Sequence, residues 1–254
     1  MYPDKFFNEV AVITGAGQGI GFEIAKQLCM QGASVVINDI DKTLAESAAL
    51  KIAEHGNCFA MPGDAADIFF IQAMIDEAVR RFGKLTIAVA NAGITLFGDF
   101  FEYKPDALQN VMNLNLSGSF FLTQAAAKQM KQQESGGSIL LMSSVTAHQA
   151  HKNLAAYGMT KAALEMLAKT LVIELSPFNI SINAIAPGAT ITERTGGDES
   201  YKKTWSNITP SGRPATVNDI ANAALFMVSP ASRHITGQSL IIDGGWTSVS
   251  PSPY

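Results

Sequence analysis

The chain has 254 residues, of which 47% are hydrophobic and 16% are charged, a composition that excludes a disordered protein and allows one large buried core. Its formal net charge is -4 at pH 7 and no basic run is longer than Lys202-Lys203, which argues against a nucleic-acid partner. The first residues show no basic stretch followed by an apolar core, and no apolar segment reaches the roughly 18 residues of a membrane span, so we expect a cytoplasmic protein with no membrane partner.

Cysteine and histidine do not form a metal-ligand pattern. Cys29 lies in an apolar helical pattern and Cys58 begins a predicted strand, so we expect both to pack as reduced thiols. The 4 histidines are scattered, and none forms a paired-ligand motif with an acidic neighbour. The sequence therefore predicts no metal site.

Short β-branched runs alternate with amphipathic helical segments along the whole chain. Ile24 and Leu28 share one helical face, and Met74, Ala78 and Phe82 share another. Such alternation predicts an α/β fold with a doubly wound, parallel, seven-stranded sheet and helices on both faces, in a single domain over residues 1–254. In chain order the predicted strands are 10–14, 34–38, 58–61, 85–90, 138–142, 181–185 and 239–242.

A glycine-rich turn follows the first predicted strand. Glycine allows the backbone to approach a pyrophosphate, whose charge is met by the N-terminal end of the next helix. Ile20 stands where the general dinucleotide pattern has its third glycine, so the turn on its own also fits a structural loop or another phosphate ligand. The predicted cofactor contacts in this turn are Gly15, Gln18, Gly19, Ile20 and Gly21.

The second predicted strand ends at Asn38-Asp39. A carboxylate here accepts hydrogen bonds from both adenosine ribose hydroxyls and repels a 2′-phosphate. No Arg or Lys follows Asp39 before Lys42, so the charge pattern favours NAD over NADP. The alternative is a solvated acid that caps the next helix.

The third predicted strand is followed by Gly63, Asp64 and Ala65. We predict that Asp64 and Ala65 lie beside the adenine. Asp64 is also suited to cap a helix that starts near Ala66, and the two roles are compatible.

The order of the motifs resembles that of the classical short-chain dehydrogenases/reductases, from about Phe6 to Trp246. This resemblance implies a Rossmann-type fold and an oxidoreductase activity. The matching motifs are the Thr14 to Gly21 turn, Asn91-Ala92-Gly93 after the fourth strand, Asn115 in a helix, Ser143-Ser144 after the fifth strand, Tyr157 with Lys161, Pro187-Gly188 after the sixth strand, and Asp243-Gly244-Gly245.

Tyr157 is the predicted proton donor and acceptor. A free tyrosine has a pKa of about 10, and a nearby positive charge lowers it. Lys161 lies one helical turn further along on the same face. The resemblance also implies that Lys161 binds the nicotinamide ribose and that Asn115 holds a water in a proton relay, although an asparagine satisfied inside a helix fits Asn115 equally well. Ser144, with Ser143 next to it, is implied to hydrogen-bond the substrate oxygen.

The segment after the sixth strand resembles the one that positions the nicotinamide amide. The resemblance assigns cofactor contacts to Pro187, Gly188, Thr190 and Thr192, and it assigns others to Asn91, Ala92 and Gly93. Thr190 stands where the family usually has Ile or Val. Residues 193–214 lack periodicity and are predicted to be a mobile substrate lid, with a surface insertion as the alternative.

The predicted function is an NAD-dependent transfer of a hydride between nicotinamide and a secondary alcohol or carbonyl compound, such as a sugar, polyol, hydroxysteroid or small ketone. Segments 185–189 and 219–230 look like those of bacterial hydroxysteroid and sugar dehydrogenases. One alternative is an NADPH-dependent 3-oxoacyl-carrier-protein reductase, and another is a cofactor-sensing binding protein. The resemblance further implies a homotetramer. Candidate substrate-wall residues are Thr95, Phe97, Gln149, His151 and Trp205, beside Ser144 and Tyr157.

Overall fold

The strands of the computed structural model, which describes residues 5–249, follow the predicted positions closely. They are β1 (Val10–Ile13), β2 (Ser34–Ile37), β3 (Cys58–Ala60), β4 (Ile87–Ala90), β5 (Gly137–Met142), β6 (Ile180–Pro187), β7 (Thr190–Ile191), β8 (Ala215–Thr216) and β9 (Ser239–Ile242).

Seven of these strands form one parallel sheet in the order β3-β2-β1-β4-β5-β6-β9, while β7 and β8 form a separate parallel pair. The register pairs Val12 of β1 with Ala88 of β4 and Leu140 of β5 with Asn183 of β6. The predicted doubly wound, seven-stranded sheet is thus confirmed. Its winding reverses between β1 and β4, the place where ligands bind in open α/β sheets.

The helices connect the strands and cover both faces of the sheet. They are α1 (Gly19–Met30), α2 (Lys42–Ala53), α3 (Ile68–Phe82), α4 (Pro105–Val111), α5 (Ser119–Gln132), α6 (Ala155–Thr170), α7 (Val172–Leu175), α8 (Glu199–Ile208) and α9 (Val217–Val228), with a π-helical segment at Met112–Gly118 between α4 and α5.

The core consists of two layers separated by the sheet. Ala11 and Ile13 of β1 pack into a layer that includes residues of α1, α2 and α9, whereas Val10 and Val12 pack into a layer with residues of α3, α5 and α6. Successive side chains of a strand point to opposite faces, so a strand buried on both faces is apolar throughout. This explains why the short β-branched runs were recognisable as strands.

Aspartates at two helix starts correct two details of the sequence interpretation. Asp41 accepts a hydrogen bond from Leu44 N at 3.0 Å and is the N-cap of α2, so Asp39 does not cap that helix. Asp67 accepts from Phe69 N at 2.8 Å and is the N-cap of α3, which begins at Ile68 and not near Ala66.

The segment 193–214 contains a helix that the sequence interpretation did not predict. Asp198 caps α8 by accepting from Ser200 N at 2.9 Å and from Tyr201 N at 3.1 Å. None of the residues of α8 is buried, but Tyr201, Trp205 and Ile208 recur at helical spacing on one face, a signal that the sequence interpretation overlooked.

No helix within residues 5–249 combines the length and apolar character needed to cross a bilayer.

Candidate active site

A cavity of about 610 Å³ opens where the sheet reverses its winding, between the ends of β1 and β4. This volume lies within the range of roughly 300 to 1,000 Å³ that is typical of small-molecule sites. The predicted site residues that line the cavity are Gly15, Gln18, Gly19, Ile20, Asp39, Asp64, Ala65, Asn91, Ala92, Gly93, Tyr157, Lys161 and Thr192.

The glycine-rich turn packs directly against the end of β4. Gly15 has a φ of 61°, and a Cβ at this position would lie 2.8 Å from the Ala92 Cα. A Cβ on Gly21, in the first turn of α1, would lie 2.5 Å from Asn91 Nδ2. Side chains at either position would therefore separate the turn from β4 and widen the floor of the cavity.

The Asn91 side chain connects the end of β4 to the end of β1 by hydrogen bonds. Its Nδ2 donates to Thr14 O at 2.9 Å and to Gly15 O at 2.8 Å. In return, the Thr14 hydroxyl oxygen accepts from Asn91 N at 3.2 Å and from Ala92 N at 3.1 Å. These bonds fix the turn that begins the cavity wall.

Asp39 lies at the end of β2 with its carboxylate on the cavity. One oxygen accepts from Gly17 N at 3.1 Å and the other accepts from Asp41 N at 3.2 Å. Each carboxylate oxygen retains a lone pair for a ligand hydroxyl. Asp64 accepts from Ala66 N at 2.8 Å and lines the same cavity together with Ala65.

Tyr157 and Lys161 lie on α6 and both face the cavity. The Lys161 ammonium is buried, donates to Met142 O at 2.7 Å and lies 5.4 Å from the centroid of the Tyr157 ring. Tyr157 is half-buried, and its carbonyl accepts from the Thr160 hydroxyl at 2.7 Å. The predicted phenol and ammonium pair therefore meets at the cavity reached by the glycine-rich turn.

Asn115 is fully buried in the π-helical segment, a distortion that is frequent at functional sites. Its Oδ1 accepts from Ile94 N at 2.8 Å, and its Nδ2 donates to Ile94 O at 2.9 Å and to the Thr160 hydroxyl at 3.3 Å. A Cβ on Gly93 would lie 3.2 Å from Asn115 Oδ1 and 3.4 Å from Lys161 Nζ. The missing side chain at Gly93 thus leaves a space that Asn115 and Lys161 share.

The two adjacent serines after β5 have different surroundings. The Ser143 hydroxyl is buried and donates to Glu165 Oε1, at 2.7 Å, with Lys161 O at 3.1 Å as a second acceptor. The Ser144 oxygen accepts from Thr146 N at 3.2 Å, and within residues 5–249 its hydroxyl has no acceptor. Ser144 is therefore the serine with a proton available to a ligand.

Of the residues after β6 that the sequence assigned to the cofactor, Thr192 belongs to the cavity lining. Gly188 N donates to Ile242 O at 2.9 Å, and the Thr190 hydroxyl donates to Gly188 O at 3.0 Å. Thr192 lines the cavity, whereas the predicted contacts Pro187, Gly188 and Thr190 do not belong to its lining. Of the other predicted residues, Gly21 follows the lining residue Ile20, Ser144 is buried and does not belong to the lining, and Thr95 and Gln149 are exposed outside it.

Four aromatic side chains, His151, Tyr201, Trp205 and Trp246, form what we call the aromatic cluster. Ring centroids are 5.1 Å apart for His151 and Trp246, 5.4 Å for Trp205 and Trp246, and 6.1 Å for Tyr201 and Trp205. Burial lowers the pKa of His151 and raises the pKa of Tyr201. The cluster joins α8 to the loop before α6 and to the segment after β9.

The sequence interpretation missed several cavity residues. Asn110 and Asn113 precede Asn115, and Met142 ends β5, so their positions beside recognised motifs were an available signal. Glu193 and Arg194 lie in the aperiodic segment and gave no such signal. Among residues 5–249, no cluster of three or more His, Cys, Asp or Glu side chains could hold a metal ion.

Comparison with known proteins places this arrangement in a family. Residues 15–247 match the family profile described as enoyl-(acyl carrier protein) reductase. The chain is 34% identical over 246 residues to an L-rhamnose 1-dehydrogenase (NAD(P)(+)) of Azotobacter vinelandii, covering 94% of this chain and 96% of that protein. It is 35% identical over 241 residues to a 3alpha-hydroxysteroid dehydrogenase of Mediterraneibacter gnavus, covering 93% and 96%.

Solved structures agree with this result. A gluconate 5-dehydrogenase from Burkholderia cenocepacia, determined in complex with NADP and tartrate, superposes with a TM-score of 0.88 at 33% identity. The match covers 97% of this chain and 99% of that one.

Proposed function

This chain belongs to the classical short-chain dehydrogenase/reductase family, and from this premise we propose that it is an NAD-dependent oxidoreductase that interconverts a secondary alcohol and the corresponding carbonyl compound. Its relatives are dehydrogenases that act on CH–OH groups, with a sugar or a steroid as substrate. The observation that carries the proposal is that Tyr157 and Lys161 line the same cavity as the glycine-rich turn and Asp39.

The residues of the cavity fit a dinucleotide. Gln18, the N-cap of α1, makes no side-chain capping bond, so the first backbone N–H groups of the helix can meet a phosphate. Asp39 offers both carboxylate oxygens to the ribose hydroxyls, and its charge disfavours the 2′-phosphate of NADP. We therefore assign NAD as the preferred cofactor of this chain, although related proteins include NADP binders.

In the proposed mechanism Tyr157 exchanges a proton with the substrate oxygen. The bound nicotinamide supplies or accepts the hydride. In this proposal the Lys161 ammonium, 5.4 Å from the centroid of the Tyr157 ring, supplies a positive charge beside the group that exchanges the proton. The Ser144 hydroxyl donates to the substrate oxygen, on which negative charge builds up in the transition state.

The space beside Gly93 suits a relay from Lys161 to solvent. Asn115 Oδ1 lies 3.2 Å and Lys161 Nζ 3.4 Å from the position that a Gly93 Cβ would fill, and we propose that a water at this position bridges them. Both Nδ2 donors of Asn115 are already used, so the free lone pair on Oδ1 is the group that would accept from this water. Asn115 then positions the water and does not itself exchange protons.

The substrate remains defined as a class: a sugar, polyol, hydroxysteroid or small ketone. We propose that the aromatic cluster, whose four side chains are half-buried, contacts the substrate, because aromatic rings suit the apolar face of a sugar or steroid ring. We propose that residues 193–214, which include α8, cover the bound substrate as a lid within one domain. A surface insertion without contact to substrate is the alternative.

Two other functions are distinguishable from this proposal. An NADPH-dependent 3-oxoacyl-carrier-protein reductase is disfavoured by Asp39, and comparing the rates with NADH and NADPH separates the two. A cofactor-sensing binding protein would bind the dinucleotide without turnover, and it is disfavoured because Tyr157 and Lys161 line the cavity and Asn115 bonds Ile94 of its lining. Any sustained turnover excludes it.

The assembly proposed for this chain is a homotetramer. Phe120, Met159 and Met166 are large apolar side chains that are at least 40% exposed on α5 and α6, and Leu240 of β9 is 38% exposed. Exposed apolar patches of this kind often mark protein interfaces. Light scattering on the purified protein tests this, and a monomer at micromolar concentration would contradict it. The cytoplasmic location stays a prediction.

The decisive experiment mixes the purified protein with NAD and a panel of aldoses, aldonates, polyols and hydroxysteroids, and follows NADH formation by absorbance. We expect turnover with at least one member and a slower reaction with NADP. Failure to bind NAD, or the absence of turnover throughout the panel and with ketones in the reverse direction, would contradict the proposal.

A further inference from the structure

We propose that Arg194 is a cofactor-binding residue of this chain, whose guanidinium holds the diphosphate of the dinucleotide from the side opposite the glycine-rich turn. This inference rests on the proposed function. Arg194 lines the cavity together with Gln18 and Gly19 of that turn. It enters the site two residues after Thr192, the last cofactor contact that the sequence predicts in this segment.

The backbone around Arg194 is held in a defined turn. Thr192 O accepts from Thr195 N at 3.1 Å and from Gly196 N at 2.7 Å. The Thr195 hydroxyl oxygen accepts from Thr192 N at 3.0 Å and donates its proton to Thr190 O at 3.1 Å. Arg194 lies inside this turn, so its main chain is positioned before any ligand arrives.

The same segment faces the glycine-rich turn directly. A Cβ on Gly19 would lie 3.7 Å from the Thr192 Cγ2 and 3.7 Å from Glu193 Oε2. Gly19 is the first residue of α1, whose N-terminal end is where a phosphate group is favoured. The flexible side chain of Arg194, one residue beyond Glu193, is therefore within reach of a diphosphate at that end.

The charges of the cavity show why a further cation is needed. The charged residues of its lining are Asp39, Asp64, Lys161, Glu193 and Arg194. Three of them are carboxylates, and the diphosphate adds two more negative charges. Lys161 is not placed to bind the diphosphate, because its ammonium donates to Met142 O beside Tyr157. Arg194 is thus the lining cation that remains for the diphosphate.

The Arg194 side chain is also available for this role. It is exposed, and within residues 5–249 no carboxylate forms an ion pair with it and no hydrogen bond engages its guanidinium. A guanidinium presents several N–H donors in a planar fork that matches two phosphate oxygens at once. Glu193 opposes binding by its charge, so the two neighbours should have effects of opposite sign.

The test measures the dissociation constant of ADP-ribose, which carries the diphosphate but no nicotinamide, for wild type, Arg194→Met, Arg194→Lys and Glu193→Gln. We expect an increase of about tenfold in Arg194→Met, a smaller increase in Arg194→Lys and tighter binding in Glu193→Gln. The salt dependence of binding should be weaker in Arg194→Met than in wild type.

The matched control is Arg80→Met, which removes the same charge from an exposed arginine of α3 outside the cavity. Wild-type affinity in Arg194→Met, or an equal loss in Arg80→Met, overturns the inference, since the effect would then be absent or due to net charge alone. Adenosine, which lacks the diphosphate, serves as a second ligand. If Arg194→Met melts at a lower temperature than wild type and loses adenosine affinity by the same factor as ADP-ribose affinity, the role of Arg194 is structural and the inference is overturned. If wild type does not bind ADP-ribose, it is the proposed function that fails.

Discussion

The Lys161 ammonium lies 5.4 Å from the centroid of the Tyr157 ring, and a hydrogen bond of 2.7 Å to Met142 O holds it there. The hydrogen bond to Met142 O is important because a lysine side chain is otherwise flexible. Anchored to the end of β5, the positive charge stays close to the Tyr157 ring. The cost of burying an ammonium is met in part by the carbonyl that it binds.

Replacing Tyr157 by Phe should lower kcat by at least about 100-fold, because general acid–base catalysis by a positioned group contributes on that order. Binding of NADH, followed by its fluorescence, should change little, since the aromatic ring remains. Tyr103→Phe is the matched control, because it removes a hydroxyl that donates to Leu96 O outside the cavity lining. Comparable activity in Tyr157→Phe and Tyr103→Phe would rule out the proton-transfer role.

The adjacent serines should separate catalysis from stability. Ser144→Ala is expected to lower kcat by about 100-fold or more, as the loss of one oxyanion donor does in other enzymes. Ser143→Ala should instead lower the free energy of unfolding by about 1 to 2 kcal/mol, because Glu165 loses a buried hydrogen-bond partner. Steady-state kinetics and urea unfolding of both variants test this, and the reverse pattern would reassign the two residues.

Elements buried on both sides were predictable from the sequence. All four residues of β1, Val10–Ile13, are buried, and the run 10–14 was recognisable as a strand because parallel strands covered on both faces are apolar along their length. The glycine-rich turn and the Tyr157–Lys161 pair were predictable because each depends on residues close together in the chain.

Features that depend on distant contacts were not predictable. Trp246 meets His151 and Trp205 only after the chain has folded, and no local pattern connects them. Arg194 was not predictable either, because its place at the cavity follows from the turn after β7 and from no motif. The helix α8 is a different case, because Tyr201, Trp205 and Ile208 recur at helical spacing and its periodicity was available in the sequence but overlooked.

Cofactor preference should depend on Asp39. Replacing it by Ser removes the charge that repels a 2′-phosphate, so the ratio of kcat/KM with NADH to that with NADPH should fall by about tenfold or more. Asp41→Asn is the control, because it removes a neighbouring charge while an asparagine can still cap α2 through Leu44 N. If both variants shift the ratio equally, the preference reflects general charge in this region and not contact with the ribose.

Gly93→Ala tests the space shared by Asn115 and Lys161. The added methyl would lie 3.2 Å from Asn115 Oδ1 and 3.4 Å from Lys161 Nζ, where we place the bridging water. Gly93 does not adopt the left-handed conformation, so the fold should be retained. We expect kcat to fall by about tenfold through loss of the relay, with a shift in its pH profile. Gly197→Ala, which meets no atom within 4 Å, should behave as wild type.

The last prediction concerns pH and the aromatic cluster. Burial lowers the pKa of His151 from its ordinary value of 6.5, and among residues 5–249 its Nε2 has no hydrogen-bond partner. The unfolded chain therefore takes up a proton more readily than the folded one as the pH falls below about 6.5, and the free energy of unfolding decreases. The contribution of His151 to the free energy of unfolding should be fully present above about pH 6.5. It should decline as the pH falls from the pKa of His151 in the unfolded chain towards its lower pKa in the folded chain.

His151→Phe should flatten this decline, because phenylalanine keeps a ring against Trp246 and Trp205 but does not titrate. Urea unfolding between pH 7.5 and about 5 measures the slope for wild type and the variant. His55→Phe, in an exposed position after α2, should keep the wild-type slope. If His151→Phe loses stability with pH as steeply as wild type does, protonation of His151 does not loosen the cluster, and other groups determine the acid sensitivity of the fold.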